Sequence, residues 1–203
     1  MPDPIVTALE RLRAGGLVVF PTESVYGLGA DATSAAAVAR LVALRGREAG
    51  KPILVLVRNL AMAETMSSAF PPLARRLALQ LWPGPLTLVV PARLGLPEAL
   101  TAGTGTIGVR VPGHSTAAAL VAGLGGPLTA PSANPPGGAP PRRIELARGY
   151  FGDAVDAYVD GGELPGGAST VLAVEGEVVR VLREGLVSRA AIDAALAEGA
   201  AEG

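Results

Sequence analysis

Apolar and polar positions along this 203-residue chain alternate between a helical period and short apolar runs. Ile5, Leu9 and Leu12 fall on one face, so Pro4 to Ala14 predicts a helix. The run "GLVVF" that ends at Phe20 reads as a short strand buried on both sides. Thr33 and Ser34 are capping residues for a helix whose Val38, Leu41 and Val42 point inward. "PILVLV" from Pro52 predicts the next strand, and Leu73, Leu77 and Leu81 another helical stripe. "LTLVV" from Leu86 and "TIGVRV" from Thr106 are further strands. The segment from Ser115 reads as a helix that stops at glycine, and "PLTAPSAN" runs from a short strand into a loop. Arg142 to Tyr150 predicts a helix. "AYVD", "STVLAV" and "VVRVL" are late strands, and Ser188 caps a last helix with Ile192 and Leu196 inward.

Helices and strands thus alternate without the strict βαβ regularity of a doubly wound fold. "STVLAVEGEVVRVL" turns at Glu175-Gly176-Glu177, which implies antiparallel pairing. The expected fold is a single α/β domain around a mixed parallel and antiparallel twisted sheet with flanking helices. Its core spans about 5–185 and a C-terminal helix follows at 188–198.

Composition narrows the class. At 49% hydrophobic and 17% charged, the chain can bury a sizeable core; with aromatics at 3%, that core is built from Val, Leu and Ala. The lack of cysteine excludes disulfides and Cys-ligated zinc and fits a reducing interior. The opening "MPDPIVTALERL" reads as neither a signal peptide nor a membrane anchor, so a cytoplasmic protein is expected. A formal net charge of −1 excludes a general basic coat for nucleic acid.

Polar residues stand where apolar strands end, and ligands of open α/β sheets bind there. They are Thr22, Glu23 and Ser24 after "LVVF", Arg110 within "GVRVPGH", Ser132 and Asn134 after "LTAP", and Ser169 and Thr170 before "VLAV". Taken alone, turn-forming hydroxyls explain Thr22 and Ser24 better than a ligand does, and an Asx or Ser turn explains "SAN" about as well as a site does. Arg110 sits at an alternation position in an apolar strand. Facing inward, its guanidinium must be paired, with Glu23 or with an anionic ligand as partner. Arg45, Arg47 and Lys51 lie in "ALRGREAGKP", at the end of the second helix pattern. A helix C-terminus accounts for one cation, but three in a glycine-containing bend are suited to gripping phosphates. His114 is the sole histidine, following Pro-Gly, and reads as a loop or capping residue. No G-x-S-x-G elbow or Walker loop occurs.

Five motifs, "FPTESVYGLGAD", "RGREAGKP", "LWPGPLTLVVPA", "IGVRVPGH" and "PLTAPSAN", follow one another in an order and spacing that closely resemble the YrdC/YciO family. The resemblance spans roughly residues 5 to 185, and the chain looks like the family's single-domain form. It implies a twisted α/β fold with a concave, positively charged face. It also implies threonylcarbamoyl-AMP synthase activity: L-threonine, bicarbonate and ATP are joined, with release of pyrophosphate, for the threonylcarbamoyladenosine modification of tRNA. A downstream threonylcarbamoyl transferase completes that modification.

Residue by residue, the resemblance assigns Thr22, Arg110 and Ser169 to threonine. It assigns Arg45, Arg47, Lys51, Ser132, Asn134 and Arg183 to ATP, and Arg45, Arg47, Ser132 and Asn134 to catalysis. Mg2+ is expected as a passenger on ATP, since no carboxylate cluster typical of a protein-built magnesium cage is visible. Arg45 stands where the family has a lysine, and Glu184 where a proline often follows the arginine. tRNA is a further candidate partner, and no membrane is. The alternatives are a YciO-type paralogue with another main substrate and an RNA-binding module with little synthase activity.

Overall fold

The computed structural model describes residues 3–46 and 50–198. The elements predicted from periodicity are present. Helix α1 (Pro4–Arg13) starts where Asp3 accepts the Ile5 N–H at 2.8 Å. Helix α2 (Ala35–Arg45) starts where the Ser34 hydroxyl accepts the Ala37 N–H at 3.2 Å. It ends at Gly46, whose φ of 81° needs a residue without a Cβ. His114 caps α6 (Ser115–Leu124) through Nδ1, and Gly125 closes that helix in the left-handed region.

The strands divide into two sheets. A small one has β1 (Val18–Pro21) between antiparallel β2 (Tyr26–Gly29) and parallel β7 (Ala157–Tyr158). The large one contains β3 (Leu54–Leu56), β4 (Leu86–Pro91), β5 (Thr106–Arg110), β6 (Leu128–Thr129), β8 (Thr170–Glu175) and β9 (Val178–Arg183). Its order is β6-β3-β5-β4-β8-β9. Parallel pairs (β3 with β5, β4 with β8) mix with antiparallel ones (β4 with β5, β8 with β9), as the closing hairpin implied. Single bridges at Gly27–Ser132 and Asp31–Leu128 tie the two sheets together. Short elements without a clear periodic signal complete the chain: β2, α3 (Leu60–Thr65) and α5 (Glu98–Thr101).

Strand alternation splits the large sheet into two unlike faces. On one, Leu86, Leu88, Val90, Ile107, Val109 and Leu172 are buried against α3, α4 (Pro72–Leu81) and α8 (Arg189–Glu198). Burying these six aliphatic side chains contributes roughly 1.5–3 kcal/mol each. Among the described residues, the opposite face is covered only at the β3–β6 end, where Leu56 and Leu128 join Leu120, Val121 and Leu12 beneath α6 and α1. The described residues leave the remainder of that face open. The small sheet packs on α2 and α7 (Ile144–Phe151) through Leu28, Leu41, Ile144 and Phe151 and walls the open region on one side.

Candidate active site

A cavity of about 570 Å3 lies over the uncovered face. Strand register explains its floor. Val89 of β4 pairs with Gly108 of β5, which pairs in turn with Leu54 of β3, and Thr87 pairs with Val171 of β8. Paired residues share a face, so Thr87, Gly108 and, two residues on, Arg110 look into one hollow. Gly108 keeps the floor low, since a Cβ there would lie 3.3 Å from Thr87 Cγ2.

Arg110 is only 2% exposed, and its Nη2 lies 3.2 Å from Glu23 Oε2. Glu23 also accepts the Gly113 N–H at 2.6 Å through Oε1. Of the two partners open to Arg110 in the sequence, Glu23 is therefore in place. Arg110 Nε is buried without a hydrogen-bond partner among the described residues. Burial pulls the Arg110 pKa below its ordinary value, Glu23 opposes this, and the Arg183 charge adds to the fall. The guanidinium stays protonated all the same.

The β1–β2 turn supplies Thr22 and Ser24, both buried and both lining the cavity. Thr22 Oγ1 donates to the Val25 carbonyl at 2.6 Å, so this hydroxyl also closes the turn; its oxygen retains acceptor capacity. Opposite stands a chain of hydroxyls. Arg183 Nη2 donates to Ser169 Oγ at 2.9 Å, its Nε donates to the Ser169 carbonyl at 3.0 Å, and Ser169 Oγ shares a hydrogen bond with Thr87 Oγ1 at 3.0 Å.

Arg45, the last residue of α2, donates from Nε to the Ser132 carbonyl at 2.9 Å and fixes the helix end against the segment after β6. Arg45, Lys51, Ser132 and Arg183 line the same cavity as Thr22, Arg110 and Ser169. Asn134 is not among the cavity-lining residues. Its Nδ2 spans the following bend, donating to the Pro135 and Gly138 carbonyls at 2.9 Å each. Arg47 lies outside the described residues. Tyr26 borders the cavity, but its hydroxyl is used behind it: it accepts from Gly161 N at 2.9 Å and donates toward Gly162 O or Asp160 Oδ1, 2.8 and 3.0 Å away.

Thr87, Thr106 and Gly108 were not singled out from sequence. Part of the signal was there: "TIGVR" carries a polar or absent side chain at each alternate position, and "LTLVV" carries a single polar one, Thr87. Among the described residues, no Asp or Glu lines the cavity and no cluster of His, Cys, Asp and Glu could hold a metal. The hollow can receive anions on guanidinium and ammonium groups and can offer neutral hydroxyls to polar substituents.

The Sua5/YciO/YrdC family model, described as telomere recombination, matches residues 10–185. The threonylcarbamoyl-AMP synthase of Thiobacillus denitrificans is 43% identical over 150 residues, covering 74% of this chain and 79% of that protein. The crystal structure of P. abyssi Sua5 complexed with L-threonine superposes with a TM-score of 0.90 at 36% identity, over 94% of this chain and 56% of that one. The chain therefore spans little more than half of the P. abyssi protein. E. coli YciO superposes with a TM-score of 0.83 at 29% identity, over 93% of this chain and 92% of that one. With its mixed sheet, its cavity over the uncovered face and this match over most of its length, the chain belongs to the Sua5/YciO/YrdC family.

Proposed function

We propose that this chain is a threonylcarbamoyl-AMP synthase. It joins L-threonine, bicarbonate and ATP into threonylcarbamoyl-adenylate, with release of pyrophosphate and water. The observation that carries this reading is the convergence of Arg110, Thr22 and Ser169 with Arg45, Lys51 and Arg183 on one cavity. The likeness to Sua5 solved with L-threonine supports the amino-acid side of the site.

The chemistry brings two anions together. The threonine amine takes up carbon dioxide from bicarbonate to give an N-carboxylate. One of its oxygens attacks the α-phosphorus of ATP, and the bond to the pyrophosphate oxygen breaks. Mutual repulsion is the main obstacle, so neutralisation and alignment are the protein's task. In this reading the reaction is a nucleotidyl transfer, and ATP arrives as its magnesium complex. The metal is part of the substrate, in keeping with a cavity that offers cations and hydroxyls rather than carboxylates.

Arg110 holds the threonine carboxylate. Thr22 and Ser169 hydrogen-bond the amine, hydroxyl or carbamate, and Arg45, Lys51 and Arg183 hold the triphosphate. Ser132 approaches the nucleotide, and Asn134 acts on it through the bend that it spans. Arg47 is assigned to the phosphates by family resemblance. The product then passes to a threonylcarbamoyl transferase acting on tRNA. Cytoplasmic work fits this role; among the described residues no helix is long and apolar enough to cross a membrane.

The test is to incubate the pure protein with ATP, Mg2+, bicarbonate and labelled threonine, and to look by mass for threonylcarbamoyl-adenylate. Product that needs all four supports the proposal; folded protein that makes none overturns it. A YciO-type role is the second reading, favoured by near-complete mutual coverage with E. coli YciO, and it predicts that folded protein makes little or no product.

A further inference from the structure

Arg110 is fixed by one carboxylate that does not itself line the cavity. Glu23 sits in the β1–β2 turn, 3.2 Å from Arg110 Nη2 through Oε2, while its Oε1 accepts the Gly113 N–H at 2.6 Å. It thus joins the first strand turn to the segment that follows β5. Its side chain is 15% exposed, against 3% for that of Arg110, so the pair sits where a charge is costly unless held in a fixed geometry.

An arginine has five N–H donors in a rigid fork. Glu23 Oε2 meets that fork at Nη2 alone, as an ion pair at 3.2 Å without hydrogen-bond geometry. Nε remains, buried and without a hydrogen-bond partner among the described residues, on a side chain that borders the cavity. Charge points the same way. Arg110 and Arg183 lie close enough for the charge of Arg183 to be felt at Arg110, and Glu23 offsets one of the two cations.

We propose that Glu23 is a positioning residue for substrate recognition: its carboxylate, tied to the Gly113 N–H, holds the Arg110 guanidinium at Nη2 by an ion pair and leaves the remaining donors for the carboxylate of the amino-acid substrate. This rests on the threonylcarbamoyl-AMP synthase reading for the identity of that substrate. Glu23 touches no substrate in this scheme and acts through Arg110.

Glu23→Gln separates charge from shape, because the amide oxygen still accepts the Gly113 N–H. The folded variant is expected to raise the threonine KM at least tenfold while the ATP KM stays within twofold. Wild-type values for both overturn the proposal and leave Glu23 as a tie to Gly113. An equal rise in both KM values, or a fall in kcat alone, overturns it as well.

A second measurement does not depend on activity. In 15N NMR of the wild-type protein, Arg110 is expected to show distinct Nη resonances, since only Nη2 meets the Glu23 carboxylate; in Glu23→Gln they are expected to merge. Averaged resonances in the wild type, or resonances unchanged in the variant, overturn the proposal. If the wild type makes no threonylcarbamoyl-adenylate, the functional reading fails and the NMR comparison still decides the role of Glu23. If Glu23→Gln does not fold, the wild-type spectrum alone decides it.

Discussion

Arg183 grips Ser169 at two points, donating from Nη2 to the hydroxyl at 2.9 Å and from Nε to the carbonyl at 3.0 Å. This places the start of β8 under the control of the last residue of β9, across a hairpin whose register shifts between Val171 and Leu172. Ser169→Ala removes an acceptor from Arg183 and the partner of Thr87. The threonine KM is expected to rise about tenfold, or about 1.4 kcal/mol. Folding stability should fall by about 1 kcal/mol. Steady-state kinetics and urea unfolding check the two effects separately, and an unchanged threonine KM removes Ser169 from substrate recognition.

Gly108 tests the cavity floor. Its backbone is not in the left-handed region, so a side chain is sterically the only novelty there. Gly108→Val places branched methyls over Thr87 and into the space claimed by substrate. The variant should fold and lose at least tenfold in kcat/KM for both substrates. Full activity in a folded Gly108→Val protein would mean that the chemistry happens elsewhere.

Tyr26 tests the packing behind the site. Burial pushes its hydroxyl up to about 12, with the nearby Asp160 charge adding to the rise and the Gly161 N–H opposing it. An unfolded tyrosine titrates near about 10. The folded chain therefore keeps a proton that the unfolded chain loses, and stability present below pH about 10 is lost as pH rises toward about 12. Tyr26→Phe should abolish that component of the alkaline loss. At neutral pH it should cost about 1–3 kcal/mol, because the Gly161 N–H loses its acceptor. Urea unfolding of both proteins at several pH values measures both effects.

Arg47→Ala addresses a residue that the family resemblance assigns to the ATP phosphates. Threonine- and bicarbonate-dependent release of pyrophosphate should drop by at least a decade, or about 1.4 kcal/mol, without unfolding the protein. Full activity would withdraw that assignment.

Much of the fold was legible because its longer elements carry a period and a stop signal. α1, α2 and α4 show apolar stripes, Ser34 marks the start of α2, and Gly125 marks the stop of α6. β2 and α3 are too short for a period to register, and α5 is a single turn held by its place beside β5. Their existence depends on tertiary contacts that no local pattern contains. In the site, Arg110 stood out because a charge in an apolar strand demands a partner, and Glu23 was one of two named. Thr87 and Gly108 did not stand out. A threonine or glycine in a strand is unremarkable until strand register shows which neighbours share its face. Asn134 shows the converse: its motif marked it, but the folded bend uses its amide to span Pro135 to Gly138.

The most direct measurement of the central claim is a crystal structure with L-threonine and a non-hydrolysable ATP analogue bound together. The proposed chemistry predicts the threonine carboxylate on Arg110, its polar groups toward Thr22 and Ser169, and the triphosphate beside Arg45, Lys51 and Arg183 in the same cavity. Threonine or nucleotide bound on separate surfaces, with Arg110 still engaged by Glu23 alone, would contradict it.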